Sequence, residues 1–311
     1  MMKKDLQQLF DEFMFEAEFV RKARPKTLKG YRHTFSLFFK IQPDVTIQTL
    51  EPATISQFFK ILHVRKRIVG KGIVKVGITK STVATYWGKL SAFFRWLETR
   101  GYIQENPFRQ MVCPTPSYDD IKYLKKEEVE KIFAAIHNHS SSILLLKRNL
   151  VIFYILLFCG LRREELILLQ IRDIDFERKT ITVRADTSKS NKTRYLPLHS
   201  TTILHLKDYL QERRRYSTPY LIVSGTRDDR FSSDGMQHLI ATLCKYSDVR
   251  FHLHQLRHTF AVNFLLSSNN LVKLQQLLGH KSILTTTVYL RSLPVDKIKG
   301  DIQKLSIDDL I

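Results

Sequence analysis

The chain has 311 residues, 43% of them hydrophobic and 26% charged, which suits two domains with their own cores and excludes a disordered chain. Residues 1–120 hold 20 basic and 11 acidic side chains (+9) and residues 121–311 the other 30 and 19 (+11), so the net +20 is no single basic tail and nucleic acid is the natural partner. Three cysteines without paired spacing exclude a disulfide scaffold and structural zinc, and fit a reducing cytoplasm.

The start, Met1-Met2-Lys3-Lys4 followed by Asp5, Gln7 and Gln8, has no signal-peptide apolar region. Residues 5–23 are amphipathic, with Leu6, Leu9, Phe10, Phe13, Ala17 and Val20 on one side. A second helix starts after Pro25-Lys26, runs through Tyr31, Phe35, Phe38 and Phe39, and ends by Pro43. A third begins near Pro52 with Ile55, Phe58, Phe59 and Leu62 inward. Residues 63–80, basic and containing Gly70, Gly72 and Gly77, read as an exposed loop or hairpin. Ser81 caps a fourth helix through Tyr86, Leu90, Phe93, Phe94 and Leu97, closed by Gly101. The first domain, 1–107, is therefore a small helical bundle. Its polar faces carry Arg21, Lys22, Arg24, Lys26, Arg32, Lys66, Arg67, Lys71, Lys75 and Lys80, either a solvated face or a surface lying on phosphates.

Asn106-Pro107 and Pro114-Thr115-Pro116-Ser117 mark a linker over 108–121. The second domain, 122–293, opens with a helix at 126–137 and a buried helix at about 147–159. The apolar run Leu150–Leu161, between Arg148 and Arg162, is too short to span a bilayer, so no membrane role is expected. The period then changes. Ile174, Phe176, Ile181, Val183, Tyr195, Leu196 and Leu198 form strands around a polar turn, Thr187 to Lys192. Helices follow at 200–215 and 233–246, with a short strand at 219–223. Residues 294–311 form a helical tail beyond Pro294. The fold class is mainly α with a small β-sheet: a helical domain followed by a mixed α/β domain.

The last quarter carries the chemistry. It reads His254-Gln255-Leu256-Arg257-His258-Thr259-Phe260-Ala261, then Leu278-Gly279-His280, then Thr285-Thr286-Thr287-Val288-Tyr289. His254 and Arg257 lie at i and i+3 on one helix face. Gly279 suits the position after a helix end, which leaves His280 just past it. A lone His or Tyr on a helix is usually a satisfied core or surface residue, and H-x-x-R alone is a weak signal. In this order, with Tyr289 nine positions after His280, the set is far more specific. It resembles the signature of the tyrosine recombinases, the phage integrase and Xer family: H-x-L-R-H, then L-G-H, then a short helix with the nucleophilic tyrosine.

That resemblance implies roles. Cys159-Gly160-Leu161-Arg162-Arg163-Glu164-Glu165-Leu166 resembles the family's T-G-L-R-x-S-E-L, with Cys159 for the Thr and Glu164 for the Ser at supporting positions, which makes Arg162 the first catalytic arginine and Glu165 the supporting acid. Ser188-Lys189-Ser190-Asn191-Lys192-Thr193-Arg194-Tyr195-Leu196-Pro197-Leu198 matches the family's lysine-bearing hairpin. Lys189 takes the catalytic position, Lys192 is its alternative, and Lys192 and Arg194 are phosphate contacts or framework. Tyr289 would attack a backbone phosphate and become joined to its 3′ side. His254 would accept the phenol's proton, Arg162, Arg257 and His280 would hold the phosphate oxygens, and Lys189 would protonate the departing 5′ oxygen. The resemblance further implies a helical SAM-like core-binding domain before the catalytic domain, no cofactor and no metal, double-stranded DNA at paired recombination sites, and a tetramer on DNA. Integration, excision and resolution remain open. Type IB topoisomerase-like relaxation and a non-catalytic DNA-binding protein on the same fold are the alternatives. RNA binding fits less well, since no RNP-type strand or KH loop appears.

Overall fold

A computed structural model of the chain describes residues 5–70, 72–113 and 121–293. The linker expected at 108–121 lies partly outside these residues. The tail at 294–311 and Lys71 lie wholly outside them. The chain divides into two compact units, Met1–Ser117 and Tyr118–Ile311.

The first unit is built from α1 (Leu6–Phe15), α2 (Pro25–Ile41), α3 (Pro52–Val64) and α4 (Lys80–Thr99). Proline opens α2 and α3, where its missing N–H costs nothing. Asp5 caps α1, and Thr79 rather than Ser81 caps α4 by accepting from the Thr82 N–H. The core is aromatic: Phe10 stacks on Phe35 at 4.1 Å, and Phe13, Phe38, Phe58, Phe93 and Phe94 close around them. Phe108 joins this core, its ring 4.6 Å from Trp87, so packing continues past residue 107. A second expectation also fails. After Phe15 the chain makes a π-helical turn, Glu16–Val20, which breaks the 3.6-residue spacing and turns Val20 outward. The basic stretch between α3 and α4 is a hairpin, β1 (Lys66–Val69) and β2 (Ile73–Val76), in antiparallel register.

The second unit centres on α6 (Ile143–Cys159), which starts earlier than its apolar run suggests because Ser142 caps it. It packs against α8 (Ser200–Glu212) and α10 (Leu253–Ser268), while α5 (Lys126–His139) pairs with α9 (Ser233–Ser247). A three-stranded antiparallel sheet, β3 (Ile174–Asp175), β4 (Thr180–Val183) and β5 (Arg194–Pro197), sets Ile181 opposite both Ile174 and Leu196. Phe176 falls in the turn after β3. The segment expected as a strand at 219–223 forms isolated bridges, Gln170 to Tyr220 and Val223 to Arg230. Three short helices complete the unit: α7 (Arg163–Ile167), α11 (Leu271–Leu278) and α12 (Leu284–Thr287). Among the described residues no helix is long and apolar enough to cross a membrane.

Candidate active site

Two helix ends set the site. Gly160 closes α6 and Gly279 closes α11, both left-handed at φ +59° and +63°. A side chain is strained at that φ, and at Gly160 a Cβ would stand 2.3 Å from the Phe260 ring. The last carbonyls of a helix have no partner within it. Here they meet arginines. Arg257 donates from Nη1 to the Gly160 carbonyl and from Nη2 to the Leu278 carbonyl, while Arg162 Nη2 reaches the Gly279 carbonyl at 3.4 Å. The negative end of each helix thus holds a cation.

Glu165 ties the arginines together. Its buried carboxylate accepts from Arg162 Nη1 (2.9 Å), Arg194 Nη1 (3.0 Å) and Arg194 Nη2 (2.6 Å), and from the Arg162 backbone N–H. Burial alone would raise this carboxyl, but the hydrogen bonds and charges of Arg194 and Arg162 outweigh it and bring the pKa down to about 2. Arg194 is buried, with Nε on the Leu277 carbonyl at 2.9 Å. Arg257, 1% exposed, has its pKa lowered to about 9 by burial and then by the nearby Arg162 charge.

His280 follows Gly279. Arg257 Nη2 lies 3.1 Å from His280 Nε2. A guanidinium only donates, so Nε2 carries the lone pair, and Nδ1–H donates to Thr286 Oγ1 at 3.0 Å. Burial and the charges of Arg257, Arg162 and Arg194 push its pKa to about 3, so the ring is neutral near pH 7.

Tyr289 sits in a 3₁₀ turn, Val288–Ser292, directly after α12. Its ring belongs to a small core with Phe260, Ala261, Val262, Leu265, Leu274 and Leu278 and is 2% exposed. Burial raises the phenol's pKa, while the Arg257 and Arg162 charges and a hydrogen bond from Arg257 oppose the rise. The imidazole on its hydroxyl is not His254 but His258, whose Nδ1 stands 3.1 Å from Tyr289 Oη. The i, i+3 spacing of the motif points to His254 and Arg257. The signal for His258 was its i+4 spacing from His254, and the two rings do meet edge to face at 4.4 Å. Burial and then His254 lower the His258 pKa to about 4. His254 is exposed in the first turn of α10. Partial desolvation and then Arg257, His252 and Arg162 lower its pKa.

Lys189 is exposed on the loop between β4 and β5. The buried Ser188 and Ser190 beside it share a 2.8 Å hydrogen bond, and Ser188 Oγ reaches Glu165 at 3.5 Å. Lys192, also exposed, helps to line a cavity of about 350 Å³ with Gly279 and His280. Among the other expected DNA contacts, Arg24, Lys26, Lys66, Lys75 and Lys80 are exposed, Arg32 pairs with Glu18 at 3.4 Å, and Arg67 donates to the Gly77 carbonyl.

Residues 122–294 match the model of the phage integrase family, and residues 5–113 that of the phage integrase SAM-like domain. The chain is 28% identical over 292 residues to tyrosine recombinase XerC of Oceanobacillus iheyensis, covering 91% of each. It is 32% identical over 231 residues to XerC of Vibrio vulnificus, 72% of this chain and 70% of the relative. The fold matches that of XerH site-specific recombinase in a post-cleavage complex with palindromic difH substrate. The TM-score is 0.72 at 20% identity, over 91% of this chain and 80% of the other.

Proposed function

The chain belongs to the phage integrase family and is a tyrosine-type site-specific DNA recombinase; on that premise we propose that Tyr289 is its nucleophile. The convergence of Arg162, Arg257, His280 and the Tyr289–His258 pair at two helix ends carries this reading. Tyr289 Oη attacks a backbone phosphorus and forms a 3′-phosphotyrosyl bond as the 5′ oxygen departs. Arg162 and Arg257 donate to the nonbridging oxygens as their charge grows, and His280 joins them once the phosphate's charge lets its Nε2 take up a proton. The phosphotyrosine keeps the energy of the phosphodiester, so a 5′-hydroxyl from another strand reverses the step.

His254 accepts the phenol's proton. It is neutral, exposed and in the first turn of α10, where backbone N–H groups favour a phosphate. His258 positions the hydroxyl. Tyr289 is buried, so the short 3₁₀ turn that carries it must shift when a phosphate arrives. Lys189 protonates the leaving oxygen. Lys192 is the second reading, favoured by its place in the cavity beside His280. Exposed cations of both units, Arg24, Lys26, Lys80 and Lys192 among them, lie on the phosphates of duplex DNA at paired sites, with a tetramer as the working assembly in the cytoplasm.

Tyr289→Phe tests the core of this reading. It should bind DNA as the wild type does and form no covalent adduct on a nicked suicide duplex. A persisting adduct would assign the chemistry to another nucleophile.

A further inference from the structure

Between Glu51 and Glu98 the sequence has nine lysines and arginines and not one aspartate or glutamate. The middle of this acid-free stretch is the β1–β2 ribbon. Its base is pinned: the Gly77 N–H donates to the Arg65 carbonyl at 3.0 Å, and Arg67 Nε donates to the Gly77 carbonyl at 3.0 Å. Gly77 is left-handed there (φ +71°), and a Cβ would stand 2.5 Å from the His63 carbonyl oxygen. The ribbon therefore leaves the bundle in a fixed direction.

Its two faces differ. By strand alternation and the register, Lys66, Ile68, Val74 and Val76 share one face, and Arg67, Ile73 and Lys75 the other. Neither is covered. Ile68 is 78% exposed, Val76 65%, and Ile73 and Val74 59% each. A two-stranded ribbon is at best marginally stable alone in water, and such side chains on it call for a partner surface. The partner must suit cations as well, since no acidic side chain lies within the stretch to pair with them.

We infer that the β1–β2 ribbon enters a groove of duplex DNA, with Ile68, Val74 and Val76 against sugar and base edges and Lys66, Arg67 and Lys75 on the flanking phosphates. The major groove of B-DNA has room for a two-stranded ribbon, and thymine methyl groups offer apolar contacts there. Gly70 and Gly72, with no side chains and open space around them, let the backbone there come close to the groove floor. This deepens the recombinase reading and rests on the chain binding DNA.

The test uses the full chain and a mixed-sequence duplex. Lys66→Ala/Lys75→Ala should flatten the dependence of log K on log salt by about 1.8, at ~0.9 per phosphate contact. Ile68→Ser/Val74→Ser, which alters only exposed side chains, should leave that slope unchanged and weaken binding about tenfold. An unchanged affinity for the serine variant overturns the inference. So does a serine variant that binds DNA normally but loses self-association without DNA, which would make the ribbon a contact between copies. Covalent adduct yield at saturating protein is read in parallel on a nicked duplex. Wild type without adduct would count against the recombinase chemistry, whereas normal adduct with ribbon variants of unchanged binding would count against the ribbon alone.

Discussion

Replacing Glu165 by Gln keeps the shape of the side chain and removes its charge. The carboxylate is buried and receives three guanidinium hydrogen bonds, two of them from Arg194, itself 9% exposed. A Gln oxygen can accept from one arginine, but its amide then points N–H groups at the other. A carboxyl at about 2 instead of 4.5 corresponds to about 3 kcal/mol of folding stability at neutral pH. Breaking one side of a buried pair costs about 3–5 kcal/mol, which agrees. The folded pKa lies below the unfolded one, so this stabilisation is complete above pH 4.5 and is lost as pH falls towards 2. The two tryptophans, Trp87 and Trp96, both lie in the first unit, so their fluorescence reports that unit, while far-UV circular dichroism reports both. In urea at pH 7, Glu165→Gln should bring the dichroism transition forward by about 3 kcal/mol and leave the fluorescence transition in place. A dichroism shift below about 1 kcal/mol would refute the argument, because Arg194 would then tolerate burial without its partner.

Two further sets of substitutions separate roles within the site. His254→Ala should slow cleavage ~100-fold or more, as loss of a proton acceptor does, and His258→Phe about tenfold, as loss of orientation does; the reverse order would make His258 the acceptor. Lys189→Ala should cut normal DNA slowly and recover on a duplex with sulfur at the 5′-bridging position, since a thiolate (pKa ~8.5 as a free thiol) leaves without a proton. Arg162→Ala should not recover, and rescue of Lys192→Ala in place of Lys189→Ala would move the acid three residues along the loop.

Much of this was legible because it is local. Pro25, Pro52, Gly160 and Gly279 announce helix ends through backbone geometry, and the aromatic spacing of α1 to α4 announces a bundle. What stayed hidden depends on contacts distant in sequence. Arg148 looked like the charged edge of an apolar run. Yet α6 begins before it and buries it, with Nη1 on the Val223 and Ser224 carbonyls and the guanidinium 4.2 Å from the Phe231 ring. Arg194 stands two residues after solvent-facing Lys192 in sequence, but Lys192 is in the loop, whereas Arg194 opens β5 on the inward face it shares with Leu196 and reaches Glu165. Val20 fits the stripe of α1 until a π turn shifts the phase, and nothing in the local spacing marks that turn.

The charge balance of the site indicates what it awaits. Arg162, Arg194 and Arg257 surround one carboxylate, so three positive charges are offset by one negative. The excess appears in every neighbour: Arg257 is lowered to about 9, His280 to about 3 and His258 to about 4, burial first and nearby positive charge or imidazole next. Such a site favours an anion, and a phosphodiester brings one negative charge with two oxygens for the guanidinium donors. That anion should raise the pKa of His280 and His254, because each would gain an opposite charge where it now faces like charges. Binding of duplex DNA by Tyr289→Phe should therefore take up protons on the acid side of neutrality, because the phosphate raises the pKa of imidazoles that the free site holds low. Equal proton uptake by Tyr289→Phe and by the triple variant that also carries His254→Gln and His280→Gln would place the linkage outside the site.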